Sequence, residues 1–355
     1  MDFSPDNMAR YLDHRLGGKV RIDDISRFGR GTSRQTWFVD AMRDGEKHEL
    51  VFRLDLDAGS FGDAPLDEEY FIYERLGHTN VPAARALWWE DDPQWATTAP
   101  FYVRSRVDGD WNIPNFTNPD PRYDDLRIRI SKEWVRKIAI VHAVDWKGLG
   151  IDQRLPAPKS LADCGPNYVN MIVAHFEADR IEGDPILLES AERLRDIAPP
   201  ASKICLCKGT NGFGEEIFRG EEIVALSDWE EVSIGDPAND FAYVQYLVPE
   251  IRQDGKSIWG MAQALDYYEE LTGTHVPLKT IDYYRGVRML RMLVMMARAA
   301  AAVHRYPRIA EVRQLYASTE VALHSHNVLL QSMGLKTAFD PEIFQEVHMS
   351  VEVLS

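Results

Sequence analysis

Phe28-Gly29-Arg30-Gly31-Thr32-Ser33 sets two glycines two positions apart. Such a spacing lets backbone N–H groups approach an anion where a Cβ would obstruct. In a dinucleotide-binding fold these glycines lie between a strand and a helix. Here Gln35-Thr36-Trp37-Phe38-Val39 follows and reads as a strand, so that reading fails. Two remain open, a phosphate-covering hairpin and an ordinary turn between strands. A second group with chemical capacity is Cys205 and Cys207, two apart in an apolar run and therefore on one face of a strand. They could be a redox pair or a thiol nucleophile. Two buried thiols are the better reading, because free cysteine is among the most buried residue types.

The elements that must position these groups come in a definite order. Arg21–Phe28, Gln35–Ala41, His48–Leu56, Ala84–Glu90 and Pro100–Val107 read as strands, and Leu66–Gly77 as a helix with Tyr70, Ile72, Tyr73 and Leu76 at helical spacing. A five-stranded antiparallel sheet with one helix is expected over the first hundred residues. A helix is expected over Ser131–Trp146, further helices over 161–197, short strands between Lys203 and Glu230, and helices from Asp240 onward. The plan is α+β, a small antiparallel β lobe (1–104) followed by a large helical lobe (105–355).

Composition narrows the function classes. The chain has 355 residues, 45% hydrophobic and 27% charged, with a formal net charge of −16. This acidity disfavours a nucleic-acid partner. The apolar run Gly286–Val303 carries Arg288, Arg291 and Arg298, each costly at a bilayer centre, so a buried helix is expected and no membrane partner. The three cysteines form no C-x-x-C pair and no zinc spacing, which suits a reducing, cytoplasmic setting. A small-molecule ligand or substrate is the remaining kind of partner.

The run from Leu206 to Val244 resembles the catalytic region of aminoglycoside phosphotransferase-like enzymes, small-molecule kinases of the two-lobed protein-kinase-like fold. Their second catalytic segment is matched by Ser227-Asp228-Trp229-Glu230, Gly235-Asp236-Pro237 and Asp240-Phe241-Ala242. The resemblance extends over roughly residues 20 to 300. It includes a helix end similar to that of kinase-like domains fused to some acyl-CoA dehydrogenases, Ile140-Val141-His142-Ala143-Val144-Asp145-Trp146. It implies ATP and Mg²⁺ as cofactors. It places Gly29, Gly31, Thr32 and Ser33 over the phosphates, Arg53 as the phosphate-contacting cation, Glu69 as its helix partner and Asp228 as a metal ligand. Asp236 and Asp240 are assigned structural work, with Asp240 bonded to the catalytic-loop backbone. His142 reads as a packed core histidine, and Trp88, Trp89 and Trp95 as packing residues.

The first catalytic segment departs from the pattern. Lys208 stands at its histidine, Thr210 at its catalytic aspartate and Glu215 at its metal-binding asparagine. Threonine cannot accept a proton at neutral pH, whereas glutamate can still ligate Mg²⁺ through oxygen. Three readings follow: a catalytically impaired phosphotransferase, a phosphotransferase with a displaced base at Glu215 or Glu216, and different chemistry or ligand binding on the same scaffold. Lys208 is expected to pair with Glu215 or Asp228, and so to weaken Mg²⁺-ATP binding.

Overall fold

The computed structural model describes residues 2–29, 33–56, 65–180, 183–211, 214–244, 247–308 and 319–335. Five antiparallel strands, β1 (Arg21–Arg27), β2 (Arg34–Arg43), β3 (Glu46–Asp55), β4 (Ala86–Glu90) and β5 (Phe101–Ser105), form one sheet in the order β1-β2-β3-β5-β4. Period-two alternation gives the sheet two working faces. Leu50, Phe52 and Leu54 of β3 join Phe101 and Val103 of β5 in one apolar cluster. Arg53, between them in sequence, faces the opposite side, where it meets Glu69 and Asp228.

The apolar face is covered by a helix that the sequence reading missed, α1 (Pro5–Leu16). Met8, Tyr11 and Leu12 are its buried stripe, and Tyr11 packs edge-on against Phe52 and Phe101. Its signals were present: Pro5 at the first helical turn, and Gly17 at the C-cap with φ of 71°. The expected helix, α2 (Leu66–Leu76), packs by Leu66, Ile72, Tyr73 and Leu76 into the much larger core that also holds Trp134, Ile138 and Trp229.

Beyond the sheet the chain is mainly helical: α3 (Asp124–His142), α4 (Cys164–Asp179), α5 (Pro185–Asp196), α6 (Ala238–Ala242), α7 (Met261–Thr272), α8 (Leu278–Arg305) and α9 (Thr319–Ser332). The expected helix at 131–146 starts at Asp124 and stops at His142. Asp145 leaves it because its carboxylate accepts the Gly148 backbone N–H, at 3.0 Å, in a turn. Three short pairs interrupt the helices, β6 (Cys205–Cys207) with β9 (Ser233–Gly235), β7 (Glu216–Arg219) with β8 (Glu222–Leu226), and β10 (Ile251–Gln253) with β11 (Lys256–Trp259). The last hairpin corrects the expectation of helices throughout. Its turn is Asp254-Gly255, both at positive φ, the dipeptide that a two-residue hairpin favours. No helix among the described residues is long and apolar enough to cross a membrane.

Phe52 is fully buried between α1 and β5, one residue from Arg53. Phe52→Ala is expected to cost about 3–5 kcal/mol through lost burial and the cavity left behind, read as a lower denaturation midpoint at unchanged slope.

Candidate active site

Four segments converge where the inner sheet face meets the helical part: β3, α2 and the loops following β6 and β8. Arg53 donates through Nη2 to Glu69 Oε1 at 3.2 Å and to Asp228 Oδ1 at 3.3 Å, and through Nη1 to Thr36 Oγ1 at 2.9 Å. The expected ion pair of strand cation and helix acid is therefore formed, and Asp228 joins it. A second cation, overlooked in the sequence, sits behind the first. Arg34 is buried, bonds Glu69 Oε2 through Nη1 and Asp55 Oδ1 through Nε at 3.0 Å, and lies 3.8 Å from Glu230. Its neighbour in sequence, Ser33, donates to Glu230 Oε2 at 2.7 Å, so the Ser33 hydroxyl is committed to that carboxylate. Gly29 has open space around it, while Gly31 and Thr32 lie outside the described residues.

The charges respond to this crowding in opposite directions. Burial works to raise the Glu69 carboxyl, but Arg53 and Arg34 prevail and bring it from 4.5 to about 2. Burial, reinforced by the charge of Asp228, pushes Glu230 from 4.5 up to about 8. Burial also raises Asp228, against the pull of Arg53. Asp228 holds a left-handed φ of 62°, its N–H donating to Tyr73 Oη at 3.2 Å. This is an uncommon conformation for a residue with a side chain.

The loop after β6 is held from below by Asp240. Its carboxylate accepts the backbone N–H of Lys208 at 2.9 Å and of Gly209 at 2.7 Å, the Asn211 amide at 3.2 Å, and a bond at 2.9 Å with His142 Nε2. His142 is thus more than a packed core residue. The structural role read for Asp240 is present in full. From α8, Arg288 donates to Gly209 O at 2.7 Å and to Glu231 Oε2 at 2.6 Å, and Arg291 meets Glu231 Oε1 at 2.6 Å. Gly209 has φ of 88°, and a Cβ there would lie 2.3 Å from Glu231 O, so only glycine fits.

Lys208 departs from expectation. It is fully buried, its Nζ donates to the Thr210 carbonyl, and it lies 5.8 Å over the Trp229 ring. Among the described residues it forms no ion pair within 4.0 Å with either carboxylate. The backbone carbonyl two residues away captures the ammonium before it can reach them. Thr210 Oγ1 is buried and without a hydrogen-bond partner among the described residues. Glu215 Oε2 is in the same condition, and burial, offset in part by Lys208 and reinforced by Asp228, raises its carboxyl from 4.5 to about 7. A cavity of about 600 Å³ lies on the other side of α2, against Trp89 and Arg154, and reaches this network at Asp55.

The fold has solved counterparts. A Ralstonia eutropha protein assigned to the aminoglycoside phosphotransferases superposes with a TM-score of 0.67 at 17% identity, covering 95% of this chain and 100% of that one. The chain has the kinase-like fold of the aminoglycoside phosphotransferases. A macrolide 2′-phosphotransferase from Brachybacterium faecium gives a TM-score of 0.55 at 16% identity over 84% of this chain and 96% of that one. An aminoglycoside phosphotransferase in ternary complex with ADP and hygromycin B gives 0.51 at 12% identity over 90% and 98%. No family model matches the chain. Among curated proteins, histidinol-phosphate aminotransferases of two Bacteroides fragilis strains are 29% identical over 148 residues, 37% of this chain. The match spans 41% of the length of those relatives, against the nearly complete coverage of the phosphotransferase structures.

Glu69 is the acid on which both arginines converge. Its depressed folded-state value means a stabilisation present above about pH 4.5 and lost as pH falls toward 2. Glu69→Gln is expected to destabilise the chain by about 3–5 kcal/mol at neutral pH, because it leaves buried cations uncompensated. It should also flatten the acid limb of a stability-against-pH profile.

Proposed function

We propose that this chain is an aminoglycoside phosphotransferase-like protein that binds a metal–nucleotide but transfers phosphate poorly. The observation that carries the reading is Thr210. A buried hydroxyl stands where the fold's chemistry calls for a proton acceptor, with the Lys208 ammonium on its carbonyl and, among the described residues, no carboxylate bonded to it. Loss of a positioned base typically costs ~10²–10⁴ in rate.

The residues present fit Mg²⁺ and ATP. Asp228 and Glu215 offer hard carboxylate oxygens, and the buried, unpartnered Glu215 Oε2 is an atom that a cation would satisfy. These two would hold the ion, which when bound neutralises charge on the phosphates. Arg53, already fixed by Glu69 and Thr36, would meet an anionic phosphate without having to be reoriented. The direct pairing expected of Lys208 is not formed among the described residues, and the lysine acts on both carboxylates through its charge alone. A specific observation favours a second reading. A carboxyl raised to about 7, as at Glu215, is poised to act as a base near neutral pH, which is the displaced-base enzyme.

The two readings separate by experiment. Calorimetric titration should show Mg²⁺-dependent ATP binding by the native chain. Turnover with aminoglycosides, choline or simple sugars should fall far below the 1–100 s⁻¹ typical of kinases, and Thr210→Asp should raise it. Ordinary turnover abolished by Glu215→Gln would establish the displaced base instead. Absence of any metal-dependent nucleotide binding would sink both.

Glu215 also has a signature in stability. Its folded-state value lies above the unfolded one, so stability falls as pH rises from about 4.5 to about 7. Glu215→Gln should remove that slope and be more stable than the native chain above pH 7, and so should saturating Mg²⁺ on the native chain. Thermal melts across pH, with and without Mg²⁺, measure both.

A further inference from the structure

Beneath the catalytic-position loop lies a second group of donors that the phosphotransferase reading does not use. His142 from α3 and Cys205 and Cys207 from β6 each offer one ligand atom, and these atoms all lie within 4.8 Å of one another. All three residues are at most 1% exposed. We propose that His142 Nδ1, Cys205 Sγ and Cys207 Sγ form a buried site for one borderline-soft metal ion of the Zn²⁺ type, with Tyr268 Oη as the fourth donor.

The geometry is already close to what such an ion needs. The two sulfurs are 3.9 Å apart, and tetrahedral bonds of about 2.3 Å separate two thiolates by about 3.8 Å. A triangle with no side above 4.8 Å has a centre within about 2.8 Å of each corner. A shift of at most about 0.5–0.8 Å per donor reaches the usual metal–ligand distances of about 2.0–2.3 Å. The alternation of β6 supplies the sulfur pair, since residues two apart share a strand face. Tyr268 Oη, from α7, lies 2.9 Å from His142 Nδ1, on the nitrogen that Asp240 leaves available.

The other ring nitrogen has the partner that metal-bound histidines characteristically have. Nε2 lies 2.9 Å from Asp240 Oδ2, and a carboxylate on the far nitrogen fixes the tautomer and raises the basicity of the ligating one. Two thiolates and an imidazole select a Zn²⁺-type ion over Mg²⁺ or Ca²⁺, which prefer oxygen. Binding would deprotonate both thiols, so each divalent ion that enters displaces two protons and leaves a neutral bis-thiolate site. The same Asp240 anchors the backbone of Lys208 and Gly209, so the ion would brace the loop whether or not phosphate is transferred. Sequence spacing could not announce the site, because His142 comes from a distant helix.

Co²⁺ and Zn²⁺ are the probes, added to the full-length chain. Expected are one Co²⁺ per chain with a thiolate-to-cobalt charge-transfer absorption, displacement by one Zn²⁺, release of two protons per ion, and a rise in melting temperature with excess Zn²⁺. Cys164→Ala, outside the group, should keep these properties, and Cys205→Ala should lose them. A folded native chain without the absorption would overturn the proposal, as would an absorption that persists in Cys205→Ala. If Cys205→Ala does not fold, the native chain still decides: two protons released per ion supports the site, and none refutes it.

Discussion

One buried carboxylate sets the geometry on which the candidate site depends. Asp240 accepts two consecutive backbone N–H groups, from Lys208 and Gly209, and also engages Asn211 and His142. A carboxylate satisfied by so many donors stays ionised: although burial works to raise it, the His142 bond and the backbone N–H groups hold it below its ordinary value. The loop cannot slide without stranding that charge, and removing one partner of a buried charge is strongly destabilising. Arg288 pins the same loop from α8 through the Gly209 carbonyl. The loop is therefore built to hold one conformation.

The charge network above the loop follows a different logic. Arg34 and Arg53 face Glu69, Asp228, Glu230 and Asp55, with acids in excess. The excess shows in Glu230, which burial and Asp228 push up to about 8, while Glu69, gripped by both cations, stays ionised. One carboxyl gives up its charge so that its neighbours can keep theirs. The result is a site of near-balanced charge.

Much of this was legible in the sequence where local pattern and resemblance agreed. The five strands and α2 follow from periodicity and turn residues, and the Arg53–Glu69 pair and the Asp240 anchor from matched motifs. What was missed depended on three-dimensional proximity. Arg34 reads as an ordinary strand arginine until β2 places it beside Glu69. Arg288 and Arg291 showed only that their helix does not cross a membrane, and nothing local names Glu231 as their partner. Lys208 was assigned to a carboxylate because charge suggested one, whereas a nearer backbone carbonyl took it. The helix α1 and the β10–β11 hairpin had adequate local signals, a proline and glycine frame and an Asp-Gly turn, that were passed over.

The division of the apolar residues has a consequence for how the molecule opens. The outer sheet face and α1 form one small cluster, while α2 belongs to the large core of the helical part. The contact between Arg53 and Glu69 therefore lies where the two clusters meet, since β5 gives Phe101 and Val103 to the small one and Tyr102 to the large one. Regions that draw on different cores open with different free energies, the smaller core giving way first. A fluctuation that loosens the sheet would withdraw Arg53 from Glu69 and Asp228 while the loop under Asp240 stays closed. Loss of the strand cation would leave the buried Glu69 carboxylate and Asp228 without it, so such an opening is costly even where it falls short of global unfolding.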